Sequence, residues 1–253
     1  YAGVAGKSPF YVHALVVNSY IESSYRCIDG SSQIARIMSH NIKEMGGEIL
    51  NYHEAKRFVF DGDSIESVEL TNGERIEGKT FVSAIDLSKT IDMVEGPQLR
   101  SAYKNRLKGL ENTVSAFLLN VVLQPESFPH LDHNIYHLIN HDVWAGPFYD
   151  EKKWPESVAV FGNTNSKHPN FTENFTAMGY MRHEECAKWW DTKNIIPNHI
   201  SYRGDDYEAF KIEKSEKLLD AIEKRIPGIR SKVKSYTSAT PITYRDYIGS
   251  RDG

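Results

Sequence analysis

Cysteine is scarce: Cys27 and Cys186 are the only two in 253 residues, and they lie far apart. A disulfide-stapled scaffold is therefore not expected, and a reducing, cytoplasmic setting is the simpler one. Long apolar runs are missing as well. Without a stretch of about twenty apolar residues no transmembrane helix is expected, which leaves peripheral membrane contact open, and no signal peptide stands out. Excess charge is also lacking, since 30 Lys and Arg against 34 Asp and Glu leave a net charge of −4. That balance supplies no electrostatic basis for binding nucleic acid. Several catalytic signatures are absent: there is no Gly-x-Gly-x-x-Gly, no Gly-x-Ser-x-Gly elbow and no catalytic-cysteine motif. Gly6-Lys7-Ser8 echoes the end of a phosphate-binding loop, but Tyr1 stands where that loop needs its first glycine. Asn170-Phe171-Thr172 and Asn174-Phe175-Thr176 fit the glycosylation pattern, a triplet that is common by chance.

A 40% hydrophobic content over this length is enough to bury a sizeable core, in one large domain or two small ones. The most ordered patterning runs from Asp29 to Leu87. Ser31 and Ser32 can cap a helix, and Ile34, Ile37, Met38, Ile42 and Met45 follow at the three-and-four spacing of one buried helical face. Gly46-Gly47 stops that helix. A β-meander is then expected over Glu48–Asn51, Ala55–Phe60, Ile65–Leu70 and Thr80–Ile85, with tight turns at Asp61-Gly62-Asp63 and Asn72-Gly73. The helical face and the last strand should meet, burying Ile34, Ile42, Val82 and Ile85 together. Phe10–Tyr20, rich in apolar and aromatic residues, reads as core or as pocket lining. Downstream, Pro97 opens an expected helix carrying Leu99, Tyr103 and Leu107 on one face. Strands are expected over Val114–Leu123, Asn134–Asn140, Ser157–Phe161 and Thr176–Met181, the pattern of an antiparallel sheet with long connections. A helix should hold Trp189 and Trp190, and a longer one Asp206–Arg225, ended by Pro227-Gly228.

The order of these pieces resembles the flavin-dependent phytoene desaturase, carotenoid isomerase and all-trans-retinol 13,14-reductase family, and is most similar to its retinol saturase branch. The resemblance is carried by Ile28-Asp29-Gly30-Ser31 before a helix, by Gly46-Gly47-Glu48-Ile49, and by Val82-Ser83-Ala84. It continues through Trp189-Trp190, Arg203-Gly204-Asp205-Asp206-Tyr207-Glu208-Ala209-Phe210 and Thr240-Pro241-Ile242-Thr243-Tyr244. It departs from the family where Ile28 and Ser31 replace a proline and a second glycine. Beginning at Tyr1 rather than methionine, the chain is expected to be an internal piece of a longer protein. The resemblance implies an α/β (α+β) fold: part of a FAD-binding domain, helix plus β-meander, over residues 28–87, and a substrate-binding lobe of mainly antiparallel sheet and helices over residues 1–27 and 88–253. It implies FAD as cofactor, with Gly30, Ser31, Ser32, Ala55, Ser83 and Ala84 beside it. It also implies an apolar, polyene-like substrate against Trp189, Trp190 and Tyr244, and chemistry at carbon–carbon double bonds. Cut from that setting, the chain is expected to be inactive and to self-associate. A non-catalytic module that binds an apolar ligand or a partner chain is the alternative.

Several constellations have plainer readings. His130, His133, His137 and His141 suggest a metal cluster, yet Asn134–Ile139 alternates like a strand, which at about 3.3 Å per residue sets successive members of the four-residue series about 13 Å apart. Zinc holds its ligands at about 2 Å, so no metal is expected unless the segment is helical. Asp61-Gly62-Asp63 lacks the closing glutamate of a calcium loop and reads as a hairpin turn. The cluster of Trp189, Trp190, Tyr202, Tyr207 and Phe210 serves either core packing or a pocket wall. Ser31 and Ser32 serve either as a cap or as a phosphate contact.

Overall fold

A computed structural model describes residues 6–139, 142–144, 146–194 and 202–253. In chain order its regular elements are α1 (Phe10–Glu22), α2 (Ser32–Glu44), β1 (Ala55–Asp61), β2 (Ser64–Leu70), β3 (Arg75–Glu77), α3 (Leu87–Asp92), α4 (Ser101–Lys108), β4 (Ser115–Leu123), β5 (Ile135–Leu138), β6 (Ser157–Gly162), β7 (Asn174–Met181), α5 (Asp205–Arg225), β8 (Val233–Ala239) and α6 (Pro241–Tyr247), with short 3-10 turns between some of them. The mixture of helices and antiparallel sheets matches the expected class. The chain divides into two compact units, a larger one over residues 1–35, 113–248 and 252–253 and a smaller one over residues 36–112 and 249–251.

The smaller unit is built on the antiparallel meander β1-β2-β3. Its hairpins fall where the sequence places them: Asp61 pairs with Ser64 across Gly62-Asp63, and Gly62 has φ 58, a left-handed conformation that favours glycine. Leu70, Ile91, Met93 and Val94 form its small core. Glu69 takes hydrogen bonds from Lys56 Nζ at 3.2 Å and Arg57 Nη2 at 2.7 Å, with Arg75 at 3.8 Å. The Arg57 and Lys56 bonds hold its carboxyl down at about 2.

Four expectations fail in and around this unit. Glu48–Asn51 and Thr80–Ile85 form no strand, because no neighbouring strand pairs with either, and an unpaired apolar run has no ladder to join. The stripe of α2 is exposed rather than buried, from 38% at Ile42 to 79% at Met45, and Val82 and Ile85 are exposed as well; none of the described residues covers them. The helix expected from Pro97 begins only at Ser101, while α3 escapes the sequence reading although Asp86 caps it, its carboxylate accepting from Ser88 N at 2.9 Å. In the larger unit α1 is helical as its composition allows, yet no residue in it is buried, so of its two expected roles core packing fails, while Tyr20 does line a cleft.

The larger unit holds a five-stranded antiparallel sheet in the order β5-β6-β7-β4-β8. The four strands expected from alternation all lie in it; Asn140, the end of one of them, is outside the described residues. The fifth, β8, reads VKSYTSA, too polar for alternation to mark. One face of the sheet is covered. Phe117, Leu119, Val121 and Leu123 of β4 and Phe175, Ala177 and Met181 of β7 pack there with Leu218, Leu219 and Ile222 of α5 and Ile242 of α6. Three acidic residues in the first turn of α5 suit the helix dipole. Gly179 leaves room for this packing, since a Cβ on it would sit 3.2 Å from Trp154 and 3.4 Å from Leu218.

Candidate functional site

Successive side chains on a strand point to opposite faces, so the same strands that build the core present a second set of residues on the other face. Register aligns that set in rows. Leu138, Ser157, Tyr180 and Ala116 form one row, and Tyr136, Ala159, Met178, Leu118 and Ala239 the next. Phe161, Thr176, Asn120 and Thr237 form a third, in which Thr176 Oγ1 donates to Asn120 Oδ1 at 2.9 Å. The face is thus apolar toward one end and polar toward the other. No helix covers it.

At the apolar end lies a pocket of about 240 Å³ lined by Tyr136, Leu138, Ala159, Met178, Tyr180 and Gly146. Gly146 matters sterically: a Cβ there would stand 2.8 Å from the Tyr180 ring, so any side chain would push the ring out of place. Burial raises the phenol of Tyr180, with Tyr136 adding to it, and burial followed by the Tyr20 hydroxyl raises that of Tyr136. Both phenols therefore stay neutral near pH 7. No carboxylate lines the pocket. It offers shape, apolar surface, neutral hydroxyls and the His137 imidazole, which suit a ligand bound mainly by area.

The sequence-predicted residues are distributed otherwise. Trp189 packs against Tyr207 and Phe210 at ring distances of 5.3 and 5.2 Å, and Trp190 lies under the Arg245 guanidinium at 4.7 Å. Both tryptophans pack on the core of the covered face. Tyr244 is half-buried on α6, and burial pushes its phenol up to about 12. The downstream motifs converge into a brace: Tyr207 Oη and the Thr240 hydroxyl are 2.9 Å apart, Arg203 pairs with Asp246, Asn194 N donates to Asp246 Oδ2 at 2.8 Å, and Arg245 donates to the Trp190 and Thr192 carbonyls.

Gly30 has φ 90 with nothing within 4 Å of where a Cβ would be, and Ser31 and Ser32 are exposed at the start of α2, whose first turn carries no acidic residue. Asp29 N bonds the Thr164 carbonyl at 2.9 Å, and the Asp29 carboxylate accepts from Ser166 N at 2.8 Å. In the smaller unit Ala55 opens β1, exposed, and Ser83 and Ala84 lie in an exposed irregular stretch where the Ser83 hydroxyl meets that of Thr90 at 2.7 Å. Of the four histidines, His141 lies outside the described residues; His137 sits in β5, a strand as its alternation predicts. Among the described residues no three His, Cys, Asp or Glu are grouped to hold a metal, and no helix is long and apolar enough to cross a membrane.

No protein-family model matches the chain. Curated proteins are similar to it. It is 22% identical over 277 residues to the all-trans-retinol 13,14-reductase of Danio rerio, covering 99% of this chain and 44% of that protein. It is 23% identical over 269 residues to the all-trans-retinol 13,14-reductase of Rattus norvegicus, with 100% and 44% covered. To the phytoene desaturase (lycopene-forming) of Pantoea ananas it is 21% identical over 230 residues, with 88% and 44% covered. The chain therefore spans less than half the length of the curated relatives it matches. Similarity along nearly its whole length makes this chain a distant relative of the all-trans-retinol 13,14-reductase and phytoene desaturase oxidoreductases.

Proposed function

We propose that the chain supplies the substrate-binding floor of a FAD-dependent oxidoreductase acting on carbon–carbon double bonds of an apolar, polyene-like molecule. The observation that carries this reading is the second sheet face: an apolar row from Tyr136 through Ala159, Met178 and Leu118 to Ala239, half-exposed apart from Ala159, with a pocket of about 240 Å³ at its edge. A flat chain of conjugated carbons matches such a row by area. Each 100 Å² of apolar surface that the two remove from water is worth about 2.5 kcal/mol before the costs of association. Apart from the His137 imidazole, the residues described around the pocket include no carboxylate, amine or thiol, which agrees with chemistry carried by a cofactor.

FAD, when bound, supplies the hydride or accepts it. The residues present fit such a group. Gly30, whose N–H is held by the Cys27 carbonyl at 3.2 Å, is open on the side where a Cβ would stand and lets such a group approach, and the exposed start of α2 beside it suits a negatively polarised edge. Ala55, Ser83 and Ala84 are exposed and carry no charge that would oppose it. The role of the sheet is then to orient the polyene and exclude water from one of its sides. Trp189, Trp190 and Tyr244 enter this reading through the brace that holds the covered face rigid.

All-trans-retinol titrated against the chain, read by quenching of tryptophan emission, tests the floor. Met178→Arg places a charge in the middle of the apolar row and is expected to weaken binding more than about tenfold. Unchanged retinol affinity in Met178→Arg would refute the assignment. In a longer protein carrying this chain, the same variant should lose turnover while keeping its flavin absorbance.

A further inference from the structure

Beside the open face, and sharing Tyr136 and Phe161 with it, lies a second and larger cleft of about 710 Å³. Its walls include Tyr20, Tyr25, Arg26 and His130. The rings of Tyr136 and Phe161 meet edge to face at 5.9 Å, and Tyr136 also lines the apolar pocket, so the two concavities border one side chain.

The polar groups in this cleft are unusual in what they lack. Arg26 is fixed by neutral acceptors: its Nη1 donates to the Gly162 carbonyl and to the Leu131 carbonyl at 3.2 Å, and its Nη2 to Asn134 Oδ1 at 3.3 Å. No carboxylate pairs with it among the described residues. The carboxylate nearest in the lining, Asp132, is engaged by His133 Nδ1 at 2.6 Å, which lowers its pKa. His130 lines the same cleft, and its Nδ1 is buried without a hydrogen-bond partner among the described residues. A buried polar atom left unpaired is costly, and Arg26, an exposed residue, has only neutral acceptors on its guanidinium, so its charge is free to meet an anion. One group that accepts hydrogen bonds and carries a single negative charge suits both. A dianion would exceed the one unneutralised cation and face Asp132.

We propose that the ligand of the open face is an apolar chain ending in a carboxylate, the chain lying on the Tyr136–Met178–Leu118 row and the carboxylate seated in this cleft on Arg26, with His130 Nδ1–H as second donor. The proposal rests on the substrate reading above and narrows it from apolar polyenes in general to those with an acidic end. Tyr136 is the hinge of the arrangement, apolar ring toward one site and hydroxyl toward the other. Arg26 discriminates because its guanidinium is held in position before the ligand arrives, so little side-chain entropy is lost on binding.

The test compares all-trans-retinoic acid, its methyl ester and all-trans-retinol, three end groups on one polyene, by tryptophan quenching with this chain. The acid is expected to bind roughly tenfold or more tighter than the ester, the worth of a charge-assisted hydrogen bond. Arg26→Gln should erase that gap without changing ester affinity, and Arg26→Lys should keep part of it. His130→Leu leaves the carbonyl contacts of Arg26 intact and should shrink the gap by itself, which covers the case of an Arg26 variant that fails to fold by circular dichroism. Equal binding of acid and ester, or a gap that survives Arg26→Gln, overturns this proposal alone if the ester still responds to Met178→Arg. No binding of any of the three overturns the substrate reading and this proposal together.

Discussion

The covered face of the larger sheet conceals an ion pair whose removal should be measurable. Lys214 is 5% exposed in the middle of α5, and its Nζ donates to Glu185 Oε2 at 2.5 Å, with side-chain exposures of 6% and 5% for the two partners. The ammonium also stands 4.7 Å from the centre of the Trp154 ring. On the other side, Tyr149 donates its hydroxyl to Glu185 and accepts from Arg182 N at 2.7 Å; burial, then the Glu185 carboxylate, raises the Tyr149 phenol. Lys214→Met keeps the apolar stem and removes the charge, leaving the buried Glu185 carboxyl with the Tyr149 hydroxyl and the more distant Arg182 charge to answer it. Breaking a buried pair in this way costs about 3–5 kcal/mol, a large share of the roughly 5–15 kcal/mol that holds a domain folded. All four tryptophans of the chain fall in the larger unit, so urea unfolding followed by tryptophan emission reads that unit alone. With a urea slope of about 1–3 kcal/mol/M the midpoint should drop by more than about 1 M. The double variant Lys214→Met, Glu185→Gln removes the orphaned charge while keeping an acceptor for Tyr149, and should recover at least about 1–2 kcal/mol. A loss below about 1 kcal/mol in Lys214→Met, or no recovery in the double variant, would refute the picture of a desolvated pair.

Three further outcomes follow from the same structure. Leu218, fully buried under the sheet, should cost about 2–5 kcal/mol when cut to alanine, whereas Ile42→Ala on the exposed stripe of α2 should cost under about 1 kcal/mol; equal losses in thermal melts would contradict the burial assignment. Glu69, whose carboxyl is lowered from 4.5 to about 2 by Arg57 and Lys56, stabilises the small meander above the ordinary carboxylate value, and that contribution is lost as pH falls toward about 2. The hydrogen-exchange protection of β1 and β2 in the native chain over Glu69→Gln should therefore shrink between about pH 6 and about pH 2, and a constant difference would rule the pairing out. We also propose that the exposed stripe of α2 makes the isolated chain self-associate; Ile37→Lys with Met38→Lys should lower its mass in light scattering, and an unchanged, monomeric native chain would show otherwise.

Much of the fold was legible because core strands and the long helix α5 obey a single period. β4, β6 and β7 alternate or run apolar, and the apolar side of α5 recurs at Tyr207, Leu218 and Ile222, with Pro227-Gly228 ending it. What patterning does not carry is whether a partner exists. The stripe of α2 and the run from Phe81 to Ile85 have the composition of buried elements, and a periodicity argument assigns them neighbours that the described residues do not supply. α1 shows the same gap in a stronger form, being apolar along most of its length with no residue buried. β8 fails in the opposite sense: a strand joined to β4 by backbone hydrogen bonds needs no apolar alternation of its own.

The proposed floor escaped the sequence for a related reason. Alternation identifies the buried set of a strand and treats the other set as solvent-facing, so Leu118, Met178 and Ala159 register as interruptions rather than as a surface. The available signal was that these outward positions are themselves apolar on three neighbouring strands, which a one-sided sheet exposed to water has no reason to maintain. Bulky aromatics drew attention instead to Trp189, Trp190 and Tyr244, because the residue types that line pockets also fill cores. Only register separates the two uses. Once Ala159 is opposite Met178, and Met178 opposite Leu118, the outward residues become one continuous row, and the tryptophans fall on the side where α5 and α6 already occupy the space.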